Sequence, residues 1–202
     1  MIKVIARRTM MGRMVNKSSF RSQSGFTLIE LIVVVIILGI LAAVALPRFI
    51  SLQRDARIAK LQAARGSVSA ASALGHAGIL SRAGVADPDP CPGGGGTATN
   101  SSGANGTICT ESGLIHMVYG YPEITALGGN PGILSASGLT GIFNPSATQL
   151  AAEGYTYTQD GAVATFGVVG ATDAANCSFT YTQPVVANKA AEISGLTSTS
   201  GC

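Results

Sequence analysis

The 202-residue sequence has few charged side chains, 11% of its residues against roughly 25% in an average soluble domain. It has two histidines, His76 and His116, and no C-x-x-C or Cys/His spacing of the kind that binds zinc. No Ser/His/Asp pattern can be assembled from it. These gaps argue against an enzyme and predict no cofactor. A surface with so little charge fits a subunit that buries much of itself against copies of itself.

Acidic residues are absent from the first 25 positions. This leader carries six basic side chains, namely Lys3, Arg7, Arg8, Arg13, Lys17 and Arg21. The formal net charge of +3 therefore depends on the leader, since residues 26–202 hold seven basic and ten acidic side chains, a net of −3. A mature chain of that charge is not expected to bind nucleic acid. Which methionine starts the chain (Met1, Met10, Met11 or Met14) stays open.

An uninterrupted apolar run follows the leader, from Phe26 to Leu46, with one charge inside it, Glu30. At about 1.5 Å per residue the run makes a helix of ~31 Å, long enough to cross the hydrocarbon core of a membrane. A carboxylate at mid-membrane costs on the order of 2.5–3.5 kcal/mol, somewhat less near an end. Such a charge is usually retained because it pairs with another group, although an acid tolerated near the membrane surface is the plainer alternative.

Cleavage after Gly25 would create a partner for this carboxylate. The new α-amine on Phe26 would lie four residues from Glu30, so that both groups share one helix face. They could then neutralise each other within one chain or between neighbours. The stretch Ser-Gly-Phe-Thr-Leu-Ile-Glu, followed by the apolar run and Pro47, resembles the N-terminus of type IV pilins and type II secretion pseudopilins.

The resemblance implies a specific order of processing, membrane insertion and assembly. A prepilin peptidase would cut after Gly25, and Phe26 would become N-methylated. The precursor would sit in the bacterial inner membrane until the pilus assembly machinery polymerises it, through its N-terminal helix, into a homopolymeric surface fibre for adhesion or motility. Three short phrases look most like the mannose-sensitive haemagglutinin branch of pilins: 45–49 (ALPRF), 118–122 (VYGYP) and 177–181 (CSFTY).

Two alternatives remain open. The chain could be a type II secretion pseudopilin, which would form a short periplasmic fibre. It could also be a soluble protein secreted through the Sec pathway and cleaved after Ala45, because a basic leader, an apolar core and Ala43-Val44-Ala45 resemble a signal peptide. Against the second reading, the apolar segment is longer than the usual 7–15 residues and it contains Glu30.

Helical periodicity continues from Pro47 to about Gly78 as the second, amphipathic half of the same helix. Pro47 cannot donate a hydrogen bond, and with Gly39 it predicts a weak segment that could unwind in an assembled fibre. One stripe of apolar residues comprises Phe49, Leu52, Ala56, Ala59, Ala63, Ala70, Leu74 and Ala77. Nearly opposite lie Ile50, Ile58, Leu61 and Val68. The two apolar faces predict that one face of the helix packs on the head and the other packs against neighbouring subunits. A helix that is buried on all sides would also explain them.

Residues 79–202 predict a globular head. Its loop between positions 91 and 109 contains four consecutive glycines but no Gly-Lys-Ser/Thr, so a phosphate-binding loop is excluded. Short strands are predicted at 114–121, 154–158, 162–169 and 177–182, with a hairpin turn at 159–161. The expected fold is α+β, a long N-terminal helix packed on a C-terminal antiparallel β-sheet, which is the pilin layout.

Four cysteines in a chain that leaves the cytoplasm predict two disulfides, among three possible connectivities. We favour sequential pairing, Cys91 with Cys109 and Cys177 with Cys202, each worth ~3 kcal/mol in the chain-entropy model. The resemblance implies a pair near the C-terminus, which Cys177 and Cys202 match, whereas the additional pair departs from the family's simplest pattern.

The sequence also offers weak candidates for a calcium site and for glycosylation. The resemblance to major pseudopilins makes Asp160, Asp173 and Asn176 weak calcium candidates, although they lack a ligand spacing, and no other metal site is predicted. Asn100 and Asn105 each begin an Asn-x-Ser/Thr glycosylation pattern, which occurs often by chance in a chain this rich in Ser, Thr and Asn.

Overall fold

The structure is a computed structural model and describes residues 25–202, so that residues 1–24 of the leader, with the alternative starts, lie outside the described residues. The chain divides into two compact units between Leu46 and Pro47. The helices are α1 (Leu28–Arg82), α2 (Ile133–Ser137) and α3 (Ala147–Ala152), with a short 3₁₀ helix at Ala174–Asn176. The strands are β1 (Gly106–Thr110), β2 (Gly113–Val118), β3 (Tyr121–Pro122), β4 (Tyr155–Asp160), β5 (Val163–Val168), β6 (Ser178–Thr182) and β7 (Glu192–Ile193).

The α+β prediction is confirmed, but the head contains two antiparallel sheets where one was predicted. One sheet has the order β1-β2-β3 and the other the order β4-β5-β6-β7. The predicted hairpin is present, since Asp160 pairs with Val163 across a two-residue turn. The predicted strands did not include β1 or the two-residue strand β7.

The largest strand error is at 114–121, which was predicted as one strand. The chain reverses at Tyr119 and Gly120, so that Val118 pairs with Tyr121 and Met117 with Pro122. Both turn residues have positive φ, +48° and +81°. A two-residue hairpin turn with this backbone normally contains Asn, Asp or Gly at its first position, so tyrosine gave no turn signal.

The head half of α1 packs on both sheets. Leu61, Ala64 and Val68 are buried in a core that also contains Phe166, Phe179 and Tyr181 of the four-stranded sheet. Further along the helix, Ile79 packs in a second cluster with Ile108, Ile115 and Met117 of the three-stranded sheet.

The predicted end of the helix at Gly78 was too early, since α1 continues to Arg82. Gly78 serves packing instead of ending the helix. A Cβ at this position would lie 2.5 Å from Cδ1 of Ile108, which is closer than real Cβ atoms approach a neighbour. The missing side chain therefore lets the helix approach β1 closely.

Two buried tyrosines connect the sheets. Tyr181 of β6 donates its hydroxyl hydrogen bond to the Pro122 carbonyl at 2.7 Å, and Tyr157 of β4 donates to the Thr125 carbonyl at 2.9 Å. Burial raises the pKa of Tyr181, and it raises the pKa of Tyr157 to about 12. Both phenols therefore remain neutral donors across the physiological range.

A polar cluster closes the end of α1. Arg82 forms a 2.9 Å salt bridge with Asp87 and also donates to the side-chain oxygen of Asn100. Asn100 is fully buried and donates to Asp87 at 2.7 Å and to the Val85 carbonyl at 2.8 Å. This burial removes Asn100 as an accessible glycosylation acceptor in the folded chain, whereas Asn105 is exposed.

Two short helices, α2 and α3, were missed. Helix α3 begins with a capping box in which the Ser146 side chain accepts from the Gln149 backbone N–H and the Gln149 side chain accepts from the Ser146 N–H. Ser-x-x-Gln is a sequence signature of a helix start, so this helix was accessible to sequence analysis.

Candidate functional site

The segment from Gly25 to Leu46 is apolar around its whole circumference and exposed throughout. Among residues 25–202, α1 is the one helix long and apolar enough to cross a membrane by length and composition. Within residues 25–202 the exposed leucine, isoleucine and valine side chains of this segment have no packing partner, and such an apolar surface is normally covered by lipid or by other protein chains.

Glu30 lies in the first turn of α1 and is the single acid in this apolar segment. Its backbone N–H donates to the Thr27 hydroxyl at 3.3 Å, and the Leu31 N–H donates to the Thr27 carbonyl at 3.2 Å. Thr27 is therefore the N-cap, and Thr-x-x-Glu is the capping-box pattern. The sequence analysis missed this second role for Glu30, as a helix-start residue whose charge also suits the helix dipole.

Two glycines in the segment are not required by the chain's own packing. A Cβ added at Gly25 or at Gly39 would meet no atom within 4 Å. A glycine inside a helix costs about 1 kcal/mol relative to alanine, so Gly39 weakens α1 without a visible steric return. Pro47 lies inside α1, which continues on both sides of it. The reasons for these residues have to be sought in what the segment meets outside the chain.

On the head half of α1 the predicted division into two faces is confirmed for the face toward the head. Leu61 and Val68 are buried and Ile58 is partly buried, whereas Ile50, which was predicted on the same face, is exposed. The entire opposite stripe, which begins at Phe49 and ends at Ala77, is exposed. The middle of this stripe is formed by alanines, which allow a close approach by whatever packs there.

A row of basic side chains on α1 holds the C-terminal segment of the head. Three arginines donate to main-chain oxygens: Arg54 to Thr199 at 3.0 Å, Arg57 to Cys202 at 2.6 Å and Arg65 to Ser194 at 2.6 Å. Lys60 donates to the Glu153 carbonyl and lies over the Tyr155 ring, 4.5 Å from its centroid. Charged donors to carbonyls are stronger than neutral ones, so this row anchors the C-terminal segment to α1.

The disulfide prediction is confirmed. Cys91 pairs with Cys109 and Cys177 pairs with Cys202, with Cα–Cα distances of 5.4 and 5.0 Å. The first pair closes the glycine-rich loop onto β1. The second ties the start of β6 to the segment held by the arginines, so that a covalent bond and charged hydrogen bonds restrain the same stretch of chain.

The calcium candidates do not come together. Asp160 ends β4 beside the hairpin turn, whereas Asp173 and Asn176 follow the other end of β5, roughly 17 Å away along a six-residue strand. Asp173 accepts from the Ala175 N–H at 3.0 Å and from the Asn176 amide at 2.7 Å, which caps the 3₁₀ helix. Within residues 25–202 no group of three or more His, Cys, Asp or Glu side chains could hold a metal ion.

Both histidines have structural contacts. The His76 ring stacks on Tyr121 with centroids 4.1 Å apart, and its Nδ1 lies 3.0 Å from the Gly120 carbonyl. His116 Nδ1 lies 4.0 Å from a Glu123 carboxylate oxygen.

Comparison with known proteins supports the pilin and pseudopilin family. Residues 20–46 match the model described as the prokaryotic N-terminal methylation motif. The chain is 48% identical over 50 residues to the type IV narrow pilus major component PilA5 of Thermus thermophilus, covering 25% of this chain and 43% of that protein. It is 51% identical over 53 residues to the type II secretion system core protein G of Pseudomonas aeruginosa, covering 26% of this chain and 35% of that protein.

A third relative, the fimbrial protein EcpB of Eikenella corrodens, is 48% identical over 59 residues, covering 28% of this chain and 37% of that protein. The matches thus span less than half of each of these relatives. No solved structure matches the chain significantly. These relatives are structural pilins and pseudopilins, which are not enzymes.

Proposed function

We propose that this chain is the precursor of a type IV pilin, cleaved after Gly25, N-methylated on Phe26 and polymerised through its N-terminal helix into a surface fibre. The observation that carries the proposal is Glu30 on a helical segment that is otherwise apolar and exposed on every side. A soluble protein would not leave that segment uncovered, and in a simple membrane anchor the carboxylate would serve only the start of the helix.

A helical fibre satisfies both features. In a bundle of identical N-terminal helices, the apolar surfaces of residues 26–46 cover one another. The Phe26 amine of an incoming subunit then meets a Glu30 carboxylate away from water. A buried charge of either sign is costly alone, and the pair is tolerated because each neutralises the other.

The second half of α1 extends this argument into the head. The exposed stripe from Phe49 to Ala77 is the natural continuation of the same subunit contacts, because the other face of the helix is already used by the head core. In the membrane before assembly the segment from Gly39 to Pro47 would be helical, and in the fibre it would tolerate local unwinding where neighbours satisfy its backbone groups.

A type II secretion pseudopilin is the second candidate, favoured by the 51% identity with a core protein of that system. The two functions differ in where the fibre forms. Sheared fibres recovered from the cell surface would support the pilin, whereas a chain found only in the envelope and needed for protein secretion would support the pseudopilin. Within the pilins, the three short sequence segments at 45–49, 118–122 and 177–181 favour the mannose-sensitive haemagglutinin type. Haemagglutination by sheared fibres, with and without mannose, would test this assignment.

The mass of the mature N-terminus tests the proposal directly. We expect a chain that begins at N-methylated Phe26. Gly25→Val should leave the full-length precursor in the inner membrane with no fibre, whereas Gly25→Ala, the matched control, should still be cut because it keeps a small residue. An N-terminus at Leu46 would overturn the proposal in favour of Sec secretion. If the Gly25→Val variant yields a mature chain with the same mass as the parent's, the cleavage site is refuted.

A further inference from the structure

A cleft in the head is formed by four separate segments: α1, the loop at 101–103, the β2–β3 turn and the loop between β6 and β7. It encloses about 540 Å³, which is in the usual range for small-molecule sites. The side chains that matter here are His76, Ser102, Tyr119, Tyr121, Asn188 and Lys189. Nothing in the assembly function requires these residues.

Two of the residues that line the cleft, His76 and Tyr121, form an aromatic platform. The rings of His76 and Tyr121 are parallel to within 5° and their centroids are 4.1 Å apart. Gly120 lies against this stack, and an added Cβ there would come 3.3 Å from His76 Nδ1. A platform held by a helix, a strand and a hydrogen bond to the Gly120 carbonyl is already in place before a ligand arrives, which lowers the cost of binding.

Tyr119 occupies a backbone position that disfavours it. It is the first residue of the two-residue β2–β3 turn, with φ of +48°, where Asn, Asp or Gly is the usual choice. Its side chain is only partly buried, so the head core does not explain the aromatic ring. An uncommon conformation kept at the edge of a cleft points to a role for the side chain in that cleft.

The polar groups of the cleft select a ligand class. Ser102, Tyr119 and Tyr121 bring hydroxyl groups into the lining, where they can bond to a ligand. Lys189 is the only Lys, Arg, Asp or Glu in the lining. Aromatic faces suit the C–H face of a sugar ring, hydroxyls suit its oxygens, and a lysine with no carboxylate beside it suits an anionic group.

We propose that this cleft binds a saccharide that carries a carboxylate, such as a uronic acid residue. The sugar ring stacks on the aromatic platform, Tyr119 closes one side of it, and Lys189 contacts the carboxylate. The cleft lies in the head and includes no residue of the apolar segment 26–46, so fibre formation and sugar binding can be measured separately.

The test is binding of methyl glucuronide and methyl glucoside to the full-length mature chain in a detergent without a sugar headgroup, measured by saturation-transfer NMR and titration calorimetry. We expect the glucuronide to bind with a Kd of ~1 mM, which is ordinary for a ligand of this size. The neutral glucoside should bind at least tenfold more weakly. Lys189→Met should remove that preference, and Arg48→Met, which removes an exposed charge on α1 outside the cleft, should leave it unchanged.

Tyr119→Asn separates binding from folding. Asparagine suits the turn, so this variant should be at least as stable as the parent, yet it should bind the glucuronide at least tenfold more weakly. Equal binding of the two glycosides, no binding of either, or full binding by Tyr119→Asn or by Lys189→Met would each overturn the proposal.

Discussion

The two units of this chain treat apolar side chains in opposite ways. In residues 25–46 every residue is exposed, and the segment has no tertiary core of its own. In residues 47–202, Leu61, Val68 and Ile79 of α1 pack with the two sheets in buried cores, and Phe179 and Tyr181 are fully buried. The head is therefore stabilised by its own contacts, whereas the N-terminal segment depends on lipid or on other chains. Substitutions should divide accordingly, into those that stop assembly without unfolding the head and those that unfold the head.

The largest effect is expected at Glu30, where two roles can be separated. Glu30→Gln keeps a side chain that can complete a capping box but removes the charge, and Thr27→Ala removes the cap but keeps the charge. If the charge pairs with a neighbour's amine, Glu30→Gln should be processed and inserted normally yet form almost no fibre. Loss of one partner of a buried pair costs on the order of 3–5 kcal/mol, and the contact recurs in every subunit.

The measurement compares membrane-bound protein with protein sheared from the surface. Thr27→Ala should cost only about 1 kcal/mol of helix stability and retain most of the fibre. If Glu30→Gln forms normal amounts of fibre and Thr27→Ala forms none, Glu30 serves the start of the helix and not assembly.

In the head, the largest loss of stability should follow truncation of the core. Phe179 is fully buried and stacks on Phe166 with centroids 5.1 Å apart. Phe179→Ala should lower the free energy of unfolding by about 3–5 kcal/mol through the cavity it leaves. Phe49→Ala, on the exposed stripe of α1, should change it by less than about 0.5 kcal/mol. Denaturant unfolding of the detergent-solubilised chain measures both, and similar losses would erase the distinction between the two faces of α1.

Removal of either disulfide should have the next largest effect. The pairs are separated by 18 and 25 residues, so the chain-entropy model gives each about 3 kcal/mol. Peptide mapping without reduction should recover Cys91 linked to Cys109 and Cys177 linked to Cys202, and Cys177→Ser with Cys202→Ser should lower the denaturant midpoint. A peptide joining Cys91 to Cys202 would contradict the pairing.

The smallest predicted effect concerns the tyrosines that join the sheets. Tyr157→Phe removes the bond to the Thr125 carbonyl and should cost about 1 kcal/mol. The folded-state pKa of Tyr157 is about 12 against the ordinary value of 10.0 for tyrosine, so folding favours the neutral phenol. Its contribution is complete below pH 10 and is lost as the pH rises from 10 to 12, because the unfolded chain ionises first. Stability measured across that window should fall less steeply in Tyr157→Phe than in the parent, and parallel curves would contradict the shift.

Local patterns predicted a large part of this molecule correctly. The helix that contains Glu30 and Pro47, the two faces of its head half, the β4–β5 hairpin and the disulfide pairs all follow from residue spacing or from the resemblance. They were predictable because each is written in neighbouring residues or, for the cysteines, in a residue type with few possible partners.

Contacts between distant residues were not predictable in the same way. Arg54 and Arg57 donate to main-chain oxygens 145 residues away, and a carbonyl acceptor has no side-chain signature. The reversal at Tyr119 was hidden because the turn places an aromatic residue where a small polar one is usual. The prediction that Asp160, Asp173 and Asn176 could form one calcium site was wrong. These residues are near one another in the sequence, but β5 runs between them and separates them in space.

The sequence by itself therefore determined the membrane-length helix, its one carboxylate and the expectation of two disulfides, because periodicity, charge and residue type act over short stretches of chain. Only the tertiary structure decided the split into two sheets, the anchoring of the C-terminal segment by the arginine row and the cleft at Tyr119. These features depend on backbone groups and surfaces that become neighbours only when packing and chain direction bring them together.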